Sequence, residues 1–349
     1  MPDPDPPSDT RVLRGPRSVS RVGLFALLCL ALAELAFGRT DWALRLVPQA
    51  ATSLLLTLHE ELVEPNPDPA LVVFGTSRAR GAFLPTLLER ELGLERGRVL
   101  NLAVGGKDVL DALVLYREGR DHLSRARDVV LQLDGFQMSA ATPPTDRYGL
   151  YASARDRAAY SGLERLELLR DVVFRLEKMR PSLGFYVTSW LQEGHAPGPV
   201  PIDRYGRLAL VTIADDHDPK YFTRESFDYW LGRFWGGFRW SDVFARQLLD
   251  LRRLVHEDGG RFWIVELPMV DGFYQRLRQR KGDPYAEYHR RLSALLGEGA
   301  RLQFWAHPAE VGLVERNFRD WGHLNTPGAE RFSRFFARWL AAETSSEGS

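Results

Sequence analysis

Two short motifs far apart in the chain carry residue types that could act together on an acyl group. Asp320 and His323 stand three positions apart in RDWGHLNTPG, directly before a segment with the pattern of a final helix. One turn of chain can place an Asp carboxylate behind an imidazole, which fixes the His tautomer and leaves the other ring nitrogen free to take a proton. The same spacing also suits a polar loop that caps a helix beginning near Pro327.

Such a pair requires a nucleophile, and Ser77 in LVVFGTSRARG is a candidate. The apolar run before Ser77 predicts a buried strand, so this serine would lie at the carboxyl edge of a sheet. Its backbone N–H, at the start of the next helix, would favour an oxyanion there. A serine in this place is also a common helix N-cap. Chemistry therefore depends on whether the fold brings Ser77, His323 and Asp320 together.

Five apolar runs predict the strands that would position these residues, with helical patterns between them. The predicted strands are 70–74, 98–104, 128–133, 261–267 and 301–305, and helices are predicted over 78–93, 108–123, 241–256 and 327–342. This alternation predicts an α/β domain over 69–345 with a flavodoxin-like, three-layer parallel sheet. Such sheets bind ligands beyond the carboxyl ends of their strands. Those ends here carry GTS, GG, DG and ELP.

Residues 138–240 interrupt the alternation and are too many for a plain loop, so they predict an inserted helical subdomain. The segment 221–240 holds nine aromatic residues. Core packing of the insert, a sugar-stacking lid and a membrane-facing belt all fit this composition.

The N-terminus predicts a membrane anchor. Residues 1–21 have the composition of a disordered tail and contain four arginines, and 22–38 form an apolar run. The run is long enough to span about 25 Å as a helix, and the arginines before it place the tail in the cytoplasm. Residues 39–68 predict a juxtamembrane helix and linker, and the main domain would lie outside the cytoplasm. A cleaved signal peptide is the alternative.

The composition gives no sign of a disulfide-stabilised domain or of a nucleic-acid-binding protein. The only cysteine, Cys29, lies in the apolar run, so the domain must be held by its core and not by disulfides. Net charge is zero, and no basic tract indicates a nucleic-acid partner.

The order of the motifs resembles the SGNH (GDSL-type) hydrolases over about 69–137 and 260–342. The G-D-S block of that family matches Gly75-Thr76-Ser77, and its final D-x-x-H block matches Asp320 to His323. The second-block glycine matches Gly105, with Gly106 as an alternative. Thr76 replaces the usual Asp. The third block reads LDGFQM and lacks the usual Asn, for which Gln137 is the substitute candidate.

This resemblance implies that Ser77, His323 and Asp320 are catalytic, that Gly105 and Gln137 serve the oxyanion, and that no cofactor or metal is needed. The layout of anchor plus domain is similar to accessory proteins of teichoic-acid D-alanylation and alginate O-acetylation. The implied protein is a periplasmic or extracellular serine acyl esterase or acyltransferase in the bacterial cell envelope, acting on a surface polymer beside a membrane-bound O-acyltransferase. One alternative is an inactive accessory protein of that transferase, and another is a sensor domain that binds a ligand in the cleft.

Three further features have both a functional and a structural interpretation. Arg78 and Arg80 follow the candidate serine and could bind an anionic polymer, but we expect ordinary helix-surface arginines there. The run IADDHDP, residues 213–219, resembles a metal loop but lacks EF-hand spacing. Glu266 could line the cleft or cap a neighbouring helix.

Overall fold

A computed structural model of the chain describes residues 16–33, 63, 68–103, 109–141, 191–192 and 217–346. Within these ranges five strands form one parallel sheet in the order β2-β1-β3-β4-β5. The strands are β1 (Leu71–Phe74), β2 (Val99–Asn101), β3 (Asp128–Gln132), β4 (Arg261–Glu266) and β5 (Arg301–Phe304). The predicted α/β class and all five strands are confirmed.

The helices lie between the strands largely as predicted. They are α1 (Pro16–Ala33), α2 (Ser77–Ala82), α3 (Pro85–Leu92), α4 (Val109–Glu118), α5 (Arg120–Leu123), α6 (Arg224–Trp235), α7 (Asp242–Glu257), α8 (Asp271–Arg278), α9 (Pro284–Leu296) and α10 (Thr326–Ser346). The predicted single helix 78–93 is instead two helices. Phe83 and Leu84 are extended because Pro85 disfavours the helical conformation in the residue before it.

Side-chain alternation shows that helices cover both faces of the sheet. Phe74 of β1 contacts Tyr116 of α4 edge to face, whereas Trp263 of β4 contacts Trp339 of α10. In the strand register Trp263 is level with Val130, one position before the neighbour of Phe74. Successive residues of a strand point to opposite faces, so α4 and α10 lie on opposite sides of the sheet. The fold therefore has three layers.

The strand order reverses at β1, since β2 lies on one side of it and β3 on the other. This order is that of flavodoxin-like sheets, which bind ligands in the crevice beyond the carboxyl ends of β1 and β3, where the strand order reverses. Residues 75–77 follow β1, and Asp134 follows β3 by two positions. The candidate serine therefore lies at the reversal point.

Helix α1 covers much of the predicted anchor but begins earlier, at Pro16, within the predicted tail. Leu24, Phe25, Leu27 and Leu28 are exposed along it. Among the residues that the structure describes, no helix has both the length and the apolar character needed to span a bilayer. Residues 34–38 and almost all of 39–68 lie outside the described ranges, as does most of the insert.

The C-terminal end of α2 is held by side chains from two other elements. Asn101 of β2 donates its amide hydrogens to the backbone oxygens of Phe83, at 2.8 Å, and Ala79, at 3.2 Å. Ser333 of α10 donates to Ala82 O at 2.8 Å and accepts from Leu84 N at 3.0 Å. The bonds to Phe83 O and Ala82 O satisfy carbonyls that a helix end otherwise leaves unpaired, whereas Ala79 O also accepts from Phe83 N.

We predict that Asn101→Leu lowers the free energy of unfolding by about 2–3 kcal/mol, because buried backbone oxygens lose their donor. Urea denaturation of the purified protein measures this. Gln275→Leu on the exposed surface of α8 is the matched control, with an expected change within about 0.5 kcal/mol. Equal stability of the Asn101 variant and the parent would contradict the role of Asn101.

Candidate active site

The turn after β1 places Ser77 at the first position of α2. Gly75 has φ 152°, a conformation that L side chains rarely adopt. Thr76 is the N-cap, and its hydroxyl oxygen accepts a hydrogen bond from Arg78 N at 3.2 Å. The capping role considered for Ser77 therefore belongs to Thr76, and the Ser77 hydroxyl is available for another partner.

Thr76, which replaces the aspartate of the G-D-S block, is tied to the neighbouring strand. Its backbone N–H and its hydroxyl both donate to the amide oxygen of Gln132 in β3, at 3.1 and 2.9 Å. Both residues are buried. A neutral Thr–Gln contact thus joins the nucleophile turn to the centre of the sheet.

The structure brings Ser77, His323 and Asp320 together. Ser77 Oγ lies 2.8 Å from His323 Nε2, and His323 Nδ1 lies 2.9 Å from Asp320 Oδ2. A carboxylate can only accept, so Nδ1 carries the proton and Nε2 is the acceptor for the serine hydroxyl. This geometry is that of a nucleophile, a general base and an orienting acid.

The loop that carries His323 is both a polar turn and half of this triad. Asp320 Oδ1 accepts from the backbone N–H groups of Gly322, at 2.9 Å, and His323, at 2.8 Å. Burial raises the pKa of the Asp320 carboxyl, but the hydrogen bonds from the His323 ring and these two N–H groups outweigh it and lower the pKa. Asp320 is therefore a carboxylate at neutral pH. One side chain shapes the turn and orients the imidazole.

Trp321 anchors the same loop in the core. It is buried, and its ring stacks on Phe273 of α8 with centroids 4.6 Å apart. Its backbone oxygen accepts from Val270 N at 3.1 Å. The rings of Trp230 and Phe234 of α6 pack beside it, with centroids 6.3 and 5.6 Å from that of Trp321. Part of the aromatic segment 221–240 therefore packs on the loop that carries the catalytic candidates.

The expectation that Arg78 lies on the helix surface is wrong. Its side chain is 2% exposed, and it pairs with the Asp134 carboxylate after β3. Nη2 donates to the backbone oxygens of Leu267 and Pro268, both at 2.8 Å, and Nε donates to Gly322 O at 2.9 Å. Asp134 follows β3, Leu267 and Pro268 follow β4, and Gly322 directly precedes His323. No pattern along α2 indicates such contacts, since every acceptor is distant in sequence.

Asp134 and Gln137 occupy the third-block region. Burial raises the pKa of the Asp134 carboxyl, while Arg78, the Gln132 amide and His323 act against this by favouring the carboxylate. Gln137 is buried, and its amide oxygen accepts from Asp134 N at 2.6 Å. Gln137 thus caps its own turn, and its part in an oxyanion hole stays a prediction. Gly105 and Gly106 lie outside the described residues.

Glu266 neither lines an open cleft nor caps a helix. It is fully buried at the end of β4, and its Oε2 lies 2.9 Å from His289 Nε2 of α9. Burial raises the pKa of the Glu266 carboxyl, and His289 opposes the rise. Tyr274 and Tyr285, which share a hydrogen bond of 3.1 Å, have pKa values raised by burial and by Glu266. Only the spatial packing of α8 and α9 reveals this cluster.

The metal-loop candidate 213–219 is described only at its end. His217 Nδ1 lies 3.2 Å from Phe318 O, and Asp218 caps the turn Pro219–Phe222 by accepting from Lys220 N. Within the described part of the chain, no group of three or more His, Cys, Asp or Glu residues is arranged to hold a metal ion. Elsewhere on the surface, His307 pairs with Asp271 at 3.0 Å.

Comparisons with known proteins leave the family of this chain open. No protein-family model and no curated protein matches its sequence. Among solved structures, it is similar to a candidate acylhydrolase from Bacteroides fragilis NCTC 9343, with 12% identity, 84% of this chain and 98% of that chain covered, and a TM-score of 0.37. A TM-score this low carries no functional weight, so the function of the chain must be inferred from the side-chain geometry of the site.

We predict that Gly75→Ala lowers the free energy of unfolding by about 2–4 kcal/mol, through backbone strain and overpacking. A Cβ at this position would lie 2.7 Å from Ala79 Cβ and 2.8 Å from Gln132 Cβ. Gly93→Ala is the matched control, because its φ is 65° but no atom lies within 4 Å of the added carbon. The control should cost about 1 kcal/mol. Thermal or urea unfolding tests the pair, and equal losses would show that the contacts around Gly75 do not matter.

Proposed function

We propose that this protein is a serine acyl esterase or acyltransferase, on the strength of the Ser77–His323–Asp320 geometry. Ser77 Oγ attacks the acyl carbonyl carbon while His323 Nε2 takes the hydroxyl proton, 2.8 Å away. Asp320 holds the imidazole in the required tautomer and stabilises the imidazolium that forms.

The reaction has two steps, acylation of Ser77 and removal of the acyl group from it. When the tetrahedral intermediate collapses, His323 returns the proton to the departing alkoxide, and an acyl-Ser77 ester remains. A water molecule or an acceptor hydroxyl then attacks this ester, with His323 again taking the proton, and Ser77 is regenerated. Water makes the protein an esterase, and a polymer hydroxyl makes it a transferase. The Ser77 and Gly105 N–H groups and the Gln137 amide are the proposed oxyanion donors.

We place this chemistry outside the cytoplasm, on an SGNH-like domain held by a single N-terminal membrane anchor. The arginines before residue 22 support this orientation, and the apolar run after them, with Leu24, Phe25, Leu27 and Leu28 exposed on α1, supports contact with a bilayer. The proposed partners are the bilayer, an acylated envelope polymer or acyl donor, and a membrane-bound O-acyltransferase.

The second candidate function is an inactive accessory protein that serves the same transferase. It is favoured by the third block, where the usual Asn is missing and the Gln137 side chain is held in its own turn by the bond from Asp134 N to its amide oxygen. An oxyanion hole without a side-chain donor loses part of its stabilisation of the transition state.

We predict that a fluorophosphonate probe labels the full-length protein at Ser77, because this hydroxyl bonds to a base. Ser77→Ala should abolish labelling and lower ester hydrolysis by about 10³-fold or more. Ser293→Ala, at an exposed serine of α9, is the matched control and should label like the parent. An unlabelled parent with native circular dichroism would favour the accessory role.

We also predict that the full chain, expressed in bacteria, stays in the membrane fraction after a carbonate wash, because the proposed anchor is the apolar run 22–38 as a whole, which continues past the end of α1. A chain lacking residues 1–38 is the control and should be released. Mass spectrometry of the membrane form should find the N-terminal tail intact. A released parent, or one shortened after the apolar run, would contradict the anchor.

A further inference from the structure

The cation next to the nucleophile makes contacts that no other residue type could make together. A guanidinium carries five N–H donors in a planar fork. For Arg78, four hydrogen bonds leave this fork towards Asp134, Leu267, Pro268 and Gly322. Lysine has a single nitrogen and could not reach acceptors arranged around a plane.

All four of these bonds go to the protein itself. The Arg78 side chain is only 2% exposed, so it is not open to a bound substrate. Its influence on a reaction would therefore pass through the groups that it holds.

One of these groups is the loop that carries the general base. Gly322, the residue before His323, accepts from Arg78 Nε at 2.9 Å. A Cβ on Gly322 would lie 3.0 Å from the same Nε, a contact tight enough to push the guanidinium aside by a few tenths of an ångström. The guanidinium carbon also lies 5.7 Å from the centre of the Trp321 ring, within range of a cation–π contact. Arg78 thus touches two consecutive residues of the loop.

Arg78 is also linked to the proposed nucleophile. Arg78 follows Ser77 directly in α2, and its counterion Asp134 follows β3. Gln132 of β3 binds Thr76 and favours the Asp134 carboxylate. The nucleophile turn, the end of β3 and the histidine loop are therefore joined through one buried ion pair.

We propose that Arg78, with its counterion Asp134, is a positioning residue that holds the 320–323 loop against the nucleophile turn and so sets the contact between Ser77 Oγ and His323 Nε2. This inference rests on the proposed function. It adds that the three triad residues do not suffice by themselves, because Arg78 must also hold the 320–323 loop in place. Through its planar fork, Arg78 fixes the position of the imidazole relative to the ends of β1, β3 and β4. A positive charge without the fork does not do this.

The first test is Arg78→Lys, which keeps the charge beside Asp134 but loses the fork. With p-nitrophenyl acetate as substrate, we expect kcat to fall about 100-fold with KM unchanged, because a misplacement of about 1 Å costs that much in rate. Arg90→Lys on the exposed surface of α3 is the matched control and should keep the parent kcat. A Lys variant within about twofold of the parent overturns the proposal. A loss that vanishes after correction for the unfolded fraction also overturns it, because the role would then be purely structural.

The second test removes the ion pair without leaving a buried charge. Arg78→Met combined with Asp134→Leu replaces both groups by apolar side chains, a change that often preserves stability. We expect a melting temperature near that of the parent together with slow fluorophosphonate labelling of Ser77. A folded double variant that labels at the parent rate overturns the proposal. If this variant does not fold, Arg78→Lys decides alone.

A third readout does not depend on catalysis. The proton on His323 Nδ1, held by Asp320, should give a downfield proton NMR signal in the parent and in Arg90→Lys, and His323→Gln assigns it. In Arg78→Lys we expect this signal to broaden or disappear, because the loop is no longer held. An unchanged signal contradicts the positioning role. A parent with the signal but without labelling at Ser77 contradicts the proposed function and leaves the positioning role standing.

Discussion

The hydrogen bond between Ser77 and His323 joins residues 246 positions apart, and the rest of the site depends on how the fold closes that distance. A parallel sheet brings the carboxyl ends of its strands to one edge, and β1 lies at the point where strand order reverses. The serine reaches this edge directly after β1. The histidine lies in the segment between the carboxyl end of β5, which is at the same edge, and the start of α10.

Fixing that loop requires both apolar and polar contacts. Trp321 points into a cluster of rings from α6 and α8, so burial holds the middle of the loop. Asp320 closes the turn through backbone N–H groups and also orients the imidazole. The same carboxylate therefore shapes the turn and contacts the imidazole, so a polar turn and the proposed triad use one side chain.

Two pairs of polar side chains lie at the ends of β3 and β4. Arg78 pairs with Asp134, and the buried Glu266 carboxyl bonds to His289. Buried ion pairs contribute little net stability, but breaking one by removing a single partner is strongly destabilising. The Arg78–Asp134 pair therefore restricts the arrangement of the strand ends more than it stabilises the domain. Aromatic rings pack directly on these groups, as Trp321 does on Arg78 and as Tyr285 and Phe304 do on His289.

The amino-acid sequence by itself determined the five strands, most helix positions and the identity of Ser77, Asp320 and His323 as candidates. These follow from local patterns, since short apolar runs specify buried strands and a three-residue spacing specifies a turn. Only the tertiary structure decided that the three residues meet, that Thr76 and not Ser77 caps α2, and that Arg78 and Glu266 are buried with partners. Those facts depend on which distant segments pack together. A residue such as Arg78, whose acceptors lie 56 to 244 positions away, leaves no trace in its own neighbourhood of the sequence.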